Sequence, residues 1–414
     1  MRDEEAYPVW VSGLEPELLK WVEECCGQGV ADANRIPGGA SRQAWVVTLE
    51  DGGQQFLRMD AGTSALSAVG YNLAREARVY RWLTDKPVRA AGFRGVSSDG
   101  RALLLDFVEG TPGPLDDPAL ARDFMEQVNA LHALEPPPDL AHDDLAQGEI
   151  KLWTRLYRDH CLETDPLIDL GLRQLAEIAP GPPERAVLVH GDLGPGNVLH
   201  DGRWVTGLCD WELAHVGDPM EDLAWITVRA MLTPFVDVGT AFGWYDGPVD
   251  AERVRYWQLA CQVRNLIGLG VTGAAGGDLG MRMLFSTLHR RVTAELLCEI
   301  LGVDAEPIDV PEPSDTEASV AYEAVLDDLR TVITPALEGY ATARAKSVAR
   351  LVRYLDMVDR IGPVLADQDR ADRDRFDMGD DSQAAHYWAR ATQREEVLMG
   401  PAMGRLAGTR LPRI

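Results

Sequence analysis

Residues 187–200 read VLVHGDLGPGNVLH, and this segment gives the strongest indication of the fold. An apolar run opens this stretch and another closes it, which is the pattern of two short buried strands. The loop between the two runs is polar and carries Asp192 and Asn197. We therefore expect this β-segment to hold the chemistry of the protein.

A β-hairpin is expected to follow the loop. The pair Asp201-Gly202 is typical of a two-residue hairpin turn, so residues 204–209 should run antiparallel beside the second apolar run. With that turn, Asp210 lies opposite position 193. The hairpin is therefore expected to return Asp210 to the polar loop.

Two carboxylates and one amide would then converge: Asp192, Asn197 and Asp210. Phosphoryl transfer uses such a set, because one carboxylate takes the proton of the acceptor hydroxyl while an amide oxygen and a second carboxylate hold magnesium. Asp192 and Asn197 are five positions apart, which is the spacing in the kinase catalytic loop. Asp and Asn are also common in ordinary turns, but the hairpin and the neighbouring motifs favour the chemical interpretation.

Two further motifs lie nearby, CDWE at 209–212 and GDPMEDLA at 217–224. Together with HGDLGPGN at 190–197, they make the chain resemble the aminoglycoside phosphotransferase and choline kinase-like family of small-molecule kinases. The resemblance covers roughly residues 30–300. It implies an α+β, bilobal protein-kinase-like fold, with a small β-rich N-lobe, a mainly helical C-lobe and ATP between them.

The resemblance also implies roles for single residues. Asp192 would be the catalytic base, and Asn197 and Asp210 would be the ligands of Mg²⁺. Asp218 would support the catalytic loop. His190 is expected to brace the loop backbone by hydrogen bonds and not to act as a base.

The nucleotide contacts that the resemblance implies lie in the N-lobe: Gly39, Ser41, Arg58, Glu76, Asp106, Phe107 and Val108. Gly39 and Ser41 belong to a short turn, Gly38–Ser41, that would cover the phosphates. The last three residues would form the hinge that contacts adenine through backbone groups.

Glu76 falls inside the apolar stripe of a helix predicted over residues 66–84. A carboxylate on an apolar face is costly unless it is paired, so Glu76 needs a cationic partner. Arg58 stands where the family has its phosphate-binding lysine, and it would supply that cation. Arginine binds phosphate in a bidentate manner but is bulkier than lysine. The replacement therefore affects how the nucleotide is positioned and not whether it binds.

Breaks in the periodic pattern predict three parts. A hairpin over 35–60 and a buried strand over 101–108 belong to an N-terminal nucleotide-binding lobe, residues 1–110. After a sharp break at 109–114, a mostly helical pattern gives a catalytic and acceptor-binding lobe over 111–303. An acidic, proline-punctuated segment then leads to a C-terminal helical extension, residues 315–414.

Two apolar stripes mark the extension. Their members are Ala321, Val325, Leu329 and Val332, and then Ala345, Val348, Val352 and Leu355. Pro335 is expected to begin the second helix and Gly362-Pro363 to end it. Such stripes should be buried, so we expect the extension to pack on the C-lobe or on a second subunit.

Composition limits the possible partners. The chain has 414 residues, with 40 Lys and Arg against 66 Asp and Glu, a formal net charge of −26. This charge disfavours nucleic acid and anionic membrane surfaces. The six cysteines are scattered without metal-ligand spacing, so reduced thiols are expected. An acidic N-terminus and the lack of a long apolar stretch predict a cytoplasmic protein.

The sequence therefore predicts an ATP- and Mg²⁺-dependent phosphotransferase that phosphorylates a hydroxyl of a small-molecule substrate. A homodimer is possible. The alternative is a pseudokinase-like regulatory scaffold that binds nucleotide without turnover, which Arg58 in place of lysine leaves open. The acceptor remains unassigned among antibiotics, amino alcohols, sugars and hydroxyacyl metabolites, because variable helical inserts build acceptor pockets in such folds.

Overall fold

A five-stranded antiparallel sheet and a large set of packed helices belong to two units of the computed structural model. The first unit comprises Met1–Gly113 and Asn197–Ala214, and the second comprises Pro114–Gly196 and His215–Ile414. The structure describes residues 14–36, 42–60, 70–137, 140, 145–161, 163–274 and 278–414.

The strands are β1 (Val30–Ile36), β2 (Arg42–Leu49), β3 (Gln54–Asp60), β4 (Phe93–Val96), β5 (Ala102–Asp106), β6 (Thr111–Pro112), β7 (Val187–Val189), β8 (Val198–His200), β9 (Val205–Leu208) and β10 (His215–Gly217). The α-helices are α1 (Pro16–Cys26), α2 (Leu73–Leu83), α3 (Pro118–Ala133), α4 (Leu145–His160), α5 (Pro166–Glu177), α6 (Pro219–Leu232), α7 (Val238–Phe242), α8 (Ala251–Ala274), α9 (Leu279–Leu301), α10 (Ser319–Asp328), α11 (Gly339–Arg375) and α12 (Asp381–Met403). Single turns of 3₁₀ or π-helix lie at Trp211–Leu213, Leu329–Ile333, Thr334–Ala336 and Gly404–Leu406.

The sheet of the first unit has the strand order β1-β2-β3-β5-β4. The predicted hairpin over 35–60 is present as β2 and β3. Trp45, Val47 and Leu49 alternate into the core, as the period of a strand requires. The middle strand β3 carries Arg58, with β2 on one side and β5 on the other.

The helix predicted over 66–84 is seen as α2, and positions 66–69 lie outside the described residues. Its start is capped by Asn72, whose side chain accepts a hydrogen bond from the backbone N–H of Arg75. The segment 109–114, predicted only as a break, contains the short strand β6, which pairs with β8. The chain bends just before it, at Gly110, where φ is +144°.

The register of the β8–β9 hairpin differs from the prediction. Val198 pairs with Leu208, so the turn is longer than two residues. Its cause is Asp201, whose carboxylate accepts the backbone N–H groups of Arg203 and Trp204 at 2.8 and 2.7 Å and so widens the turn. Asp210 is consequently not opposite position 193.

The second unit is mainly helical, with one small sheet of β7 and β10. Three of its helices, α3, α5 and α6, begin with an aspartate followed by proline: Asp117, Asp165 and Asp218 are the N-caps. Each carboxylate accepts a backbone N–H of the first turn, and the proline gives up no hydrogen bond there. This local chemistry fixes where the helices begin.

The extension packs within the second unit, since α12 lies against α9. Ion pairs hold the two helices together: Arg290 to Glu395 at 2.9 Å and Arg291 to Glu396 at 2.5 Å. The prediction that Gly362-Pro363 ends a helix is wrong, because α11 continues to Arg375 with Pro363 inside it. Buried Ile361 and Leu365 pack on either side of the proline, which offsets the hydrogen bond that proline removes.

Two further observations concern the length of the apolar helices and the state of the cysteines. No helix in the described ranges is long and apolar enough to cross a bilayer. All six cysteines are free thiols, as predicted.

Candidate active site

In the first unit, Arg58 lies at the centre of a buried charge cluster. Its guanidinium donates to Glu76 at 2.6 Å and to Asp210 at 2.9 Å. The ion pair predicted between Arg58 and Glu76 is therefore present. Glu76 is 1% exposed, so the pair compensates for a carboxylate that has left water.

Arg42 is a second cation of this cluster that the sequence did not reveal. Its Nε donates to Glu212 at 3.0 Å, and its Nη2 donates to the carbonyl of Tyr71 at 3.1 Å. The same Nε also lies 3.9 Å from Oε2 of Glu76. Two guanidinium groups thus face the carboxylates of Glu76, Asp210 and Glu212.

Burial governs the protonation of these groups. It raises the pKa of Glu76 to about 7, although the charge of Arg58 opposes the rise. Burial, and then the charge of Asp210, also raise the pKa of Glu212. For Arg58, burial acts downward, but the surrounding carboxylates outweigh it and raise its pKa. Arg58 therefore stays charged.

The observed hairpin register sets Asn197 and Asp210 close together in the first unit. The backbone N–H of Cys209 donates to the carbonyl of Asn197 at 3.0 Å, so Asp210 follows directly beyond this pair. Asp210 has a φ of +69°, a left-handed conformation that is uncommon outside glycine. Strain of this kind is found mostly at functional sites.

The oxygen donors of Asn197 and Asp210 suit a hard divalent cation, because Mg²⁺ takes carboxylate and amide oxygens. The Asp210 side chain is 37% exposed, so it is open to a ligand. Among the described residues, no group of three or more His, Cys, Asp or Glu side chains forms a metal site by itself.

The predicted hinge follows β5. Asp106 donates its backbone N–H to Gly92, and its carboxylate accepts from Arg94. Phe107 and Val108 are half-buried, and no backbone hydrogen bond within the described part of the chain engages them. Gly39 and Ser41 lie outside the described residues.

In the second unit, the carboxylate of Asp192 is held by Arg229 of α6. The Nε of Arg229 donates to Oδ1 at 2.7 Å, and Nη2 donates to Oδ2. The loop reaches this arginine through Gly194, where a Cβ would lie only 2.6 Å from the Cβ of Arg229 and φ is +142°. Only glycine fits such a position.

Buried His289 lies close enough to Arg229 to feel its charge. Burial, and then that charge, lower the pKa of His289 to about 3. The imidazole is therefore neutral.

Asp222 fixes the backbone of the catalytic loop. Its carboxylate accepts the N–H groups of His190 at 3.0 Å and Gly191 at 3.1 Å, and the ring of His132 lies 3.0 Å away. Burial alone would raise the pKa of Asp222, but the hydrogen bonds, first of all that of His132, hold it below its usual value. The carboxylate stays ionised and the loop stays braced.

Asp218 was predicted to support this loop, but the carboxylate that contacts the loop backbone is that of Asp222. Asp218 caps α6 and is paired with Arg253. Both aspartates lie in the motif GDPMEDLA, but Asp222 is one helical turn further along, where its side chain faces the loop. His190 braces the loop through its backbone N–H.

Asp192 belongs to the second unit, and Asn197 and Asp210 belong to the first. Their convergence stays a prediction. Arg42 and Arg229 are the residues that sequence reasoning missed, and neither belongs to a motif. Arg42 directly follows Ser41 in the sequence, and Arg229 is 37 positions from its partner Asp192.

Comparisons with known proteins agree with these features. The model of a family described as phosphotransferase enzyme family matches residues 32–265, more than half of the chain. Viomycin phosphotransferase of Streptomyces vinaceus is 28% identical over 190 residues, which cover 41% of this chain and 64% of that protein. The chain thus spans less than two thirds of the length of this curated relative.

Solved structures of phosphotransferases were also found to be similar. A thermostable mutant of aminoglycoside phosphotransferase APH(4)-Ia in its apo form has a TM-score of 0.51 and 19% identity, covering 69% of this chain and 98% of that chain. Macrolide 2'-phosphotransferase MphH from Brachybacterium faecium has a TM-score of 0.48 and 20% identity, covering 66% and 97%. The α+β fold with a β-rich N-terminal and a mainly helical C-terminal part is confirmed by the first of these.

Proposed function

The chain belongs to the phosphotransferase enzyme family, and from this premise we propose that it is an ATP- and Mg²⁺-dependent kinase that phosphorylates a hydroxyl of a small molecule. The observation that carries the proposal is the state of Asp192. Its carboxylate is ion-paired with Arg229, in a loop whose backbone is fixed by Asp222. A general base must first be held in a fixed position within reach of the proton that it takes.

Asp192 accepts the proton of the acceptor hydroxyl as the oxygen attacks the γ-phosphorus of ATP. The bond between that phosphorus and the bridging oxygen breaks, and ADP leaves with the electron pair. The bidentate contact with Arg229 uses one lone pair on each oxygen of a carboxylate, a group that offers about four acceptor sites. Arg229 is a positioning residue, since it acts through Asp192, and its charge offsets the repulsion between Asp192 and the phosphates.

Arg58 binds phosphate oxygens of the nucleotide. A guanidinium offers a planar fork of donors that matches a phosphate group. Glu76 fixes the orientation of the Arg58 guanidinium, because its buried carboxylate accepts a hydrogen bond from Nη1 at 2.6 Å. Phe107 and Val108 offer backbone groups to adenine.

Asn197 and Asp210 hold Mg²⁺ in this proposal. When bound, the ion neutralises charge that develops on the phosphate oxygens. Arg58 orients Asp210 through their 2.9 Å contact, so the phosphate-binding residue and the metal-binding residue are positioned together.

The acceptor is a hydroxylated small molecule. Neither nucleic acid nor a membrane surface is a partner in this proposal. The net charge of −26 supports this class, because it repels polyanions. A charge of this sign also attracts cationic acceptors.

The test is an ATP-consumption screen against hydroxylated antibiotics, amino alcohols, sugars and hydroxyacyl metabolites, with Asp192→Asn as the matched control. We expect acceptor-dependent ADP release in the wild type and none in the variant. Tight Mg²⁺–ATP binding without acceptor-dependent turnover would favour the regulatory scaffold.

A further inference from the structure

Two buried side chains contact the peptide bonds that lead to Asp192. Asp222 accepts the backbone N–H groups of His190 and Gly191. The Nη2 of Arg264, on α8, donates to the carbonyl oxygen of Gly191 at 3.4 Å. That oxygen belongs to the peptide bond between Gly191 and Asp192, so Arg264 contacts the peptide bond that follows those held by Asp222.

Arg264 is itself firmly held. It is 2% exposed, and its Cζ lies over the rings of Trp153 and Trp225, 5.0 and 5.6 Å from their centroids. A cation at these distances is attracted by the face of an indole ring. The Nη1 of Arg264 also donates to buried Glu221. The guanidinium is therefore fixed by partners on α4 and α6.

Charges are balanced around Arg264. Glu221 is shared with His215, whose Nε2 lies 3.1 Å from it, and Glu149 lies 4.0 Å from the same nitrogen. Burial acts to lower the pKa of His215, but Glu149 and then Glu221 outweigh it and raise the pKa to about 9. Two buried cations therefore face two buried carboxylates at neutral pH. Removing only the charge of Arg264 would leave a buried carboxylate uncompensated, so a test must keep the charges balanced.

The contact at Gly191 restrains the backbone of Asp192. The carbonyl of Gly191 and the Cα of Asp192 lie in one rigid, planar unit. Holding the oxygen therefore limits how far the Cα of Asp192 can move. Gly191 has a φ of +80°, and glycine is the residue with the greatest backbone freedom. The loop thus gains most from an external restraint at this position.

We propose that Arg264 is a positioning residue for phosphoryl transfer, because its contact with the carbonyl of Gly191 fixes the backbone of Asp192. The proposal rests on the role of Asp192 as general base that is proposed above. Arg229 holds the carboxylate of Asp192, and Arg264 holds the peptide bond before it. A misplacement of reacting groups by about 1 Å costs on the order of 100-fold in rate, so loss of this contact should lower turnover.

The main variant is Arg264→Lys. It keeps the positive charge beside Glu221, but a single ammonium group lacks the fork with which arginine donates to two partners at once. We expect kcat with an acceptor identified by the screen to fall about 10- to 100-fold. The KM for ATP and the affinity for Mg²⁺–ATP should stay within about threefold of the wild type, because the proposed nucleotide-binding residues belong to the first unit.

Arg291→Lys is the matched control. Arg291 is 1% exposed, and it likewise donates to a carboxylate, that of Glu396, and to a backbone carbonyl, that of Thr409. None of its hydrogen bonds or ion pairs in the described chain reaches the loop of Asp192. This variant should keep kcat within about twofold of the wild type.

Hydrogen exchange of the loop gives a readout that does not depend on turnover. The backbone amides of residues 190–192 should exchange at least about tenfold faster in Arg264→Lys than in the wild type, because the loop opens more often. The same amides should be unchanged in Arg291→Lys. If thermal unfolding shows that Arg264→Lys does not fold, Glu221→Gln/Arg264→Met takes its place. This pair removes one charge of each sign, and the same losses are expected.

A lower kcat at unchanged ATP affinity, together with faster loop exchange, in Arg264→Lys alone supports the proposal. Wild-type kcat or wild-type loop exchange in that variant would overturn it. Equal losses in Arg291→Lys would overturn it as well, because Arg264 would then have a purely structural role.

A wild type without acceptor-dependent turnover would instead refute the proposed function. Loop exchange would then decide whether Arg264 holds the backbone of Asp192. Faster exchange in Arg264→Lys alone supports that contact, and unchanged exchange overturns it.

Discussion

The cluster around Arg58 and the loop around Asp192 both pair an acid with an arginine, but they are held in different ways. Arg58 is fixed by other charged side chains, Glu76 and Asp210. The loop of Asp192 is fixed through its backbone, because Asp222 accepts two of its N–H groups. Removing a side chain from the first cluster therefore changes its neighbours, whereas removing the Asp192 carboxylate leaves the loop in place.

This difference separates two kinds of defect. Substitutions in the Arg58 cluster should change how the nucleotide and its metal ion bind and are positioned, and so can change both affinity and turnover. Substitutions at Asp192 or Arg229 should change turnover while binding stays constant. The following variants test that division.

The largest effect is expected for Asp192→Ala. Turnover should fall at least about 1,000-fold, roughly 4 kcal/mol of transition-state stabilisation, because no group remains to take the hydroxyl proton. Calorimetry should give the same Mg²⁺–ATP affinity within a factor of about three. Full turnover in this variant would contradict the assigned base.

Asp210→Ala should weaken Mg²⁺-dependent ATP binding by about 100-fold, because one proposed metal ligand is lost. Titrations with and without Mg²⁺ separate this loss from a general loss of nucleotide affinity. Unchanged Mg²⁺–ATP affinity would show that the carboxylate does not hold the metal.

Arg229→Ala should lower turnover by about 10- to 100-fold with ATP affinity unchanged, since Asp192 loses its bidentate partner. Added guanidinium ion should restore part of the rate, and Arg229→Lys should fall between the two. Arg290→Ala is the matched control, because Arg290 is likewise an ion-paired arginine of the second unit, with Asp165 and Glu395 as its partners, but it makes no contact with the loop of Asp192 among the described ion pairs. Equal losses in both variants, without rescue, would leave Arg229 a purely structural role.

Glu76→Ala should lower turnover by about tenfold with the fold intact, because Arg58 loses the partner that orients it toward phosphate. Glu76→Gln should be milder, since the amide oxygen still accepts from Arg58. Steady-state kinetics and thermal unfolding measure both effects. Wild-type kinetics in Glu76→Ala would sink the positioning role of this pair.

The Arg58–Glu76 pair could be predicted because its signal is local. An acid inside an apolar stripe requires a cation, and Arg58 lies on the strand before that helix. Arg229 could not be predicted in this way, because its partner Asp192 is distant in sequence and an arginine on a helix is usually exposed. Pairing of that kind is set by how helices pack, and no local pattern encodes it.

Two other differences have equally specific causes. The predicted register of the β8–β9 hairpin was wrong because the side chain of Asp201 widens the turn. An Asp-Gly pair alone does not distinguish a two-residue turn from a longer one. Helical periodicity predicted two buried stripes in the extension, but only Leu329 and Ala345 of their members are buried within this chain, because periodicity does not reveal what a stripe packs against.

The most direct test of the account is a single-turnover measurement in which bound Mg²⁺–ATP is mixed with an acceptor identified by the screen. The wild type should transfer one phosphoryl group to the acceptor and form ADP in equal amount. Asp192→Asn should hold the same ATP and transfer none on that timescale. Equal transfer by both proteins would contradict the account at its centre.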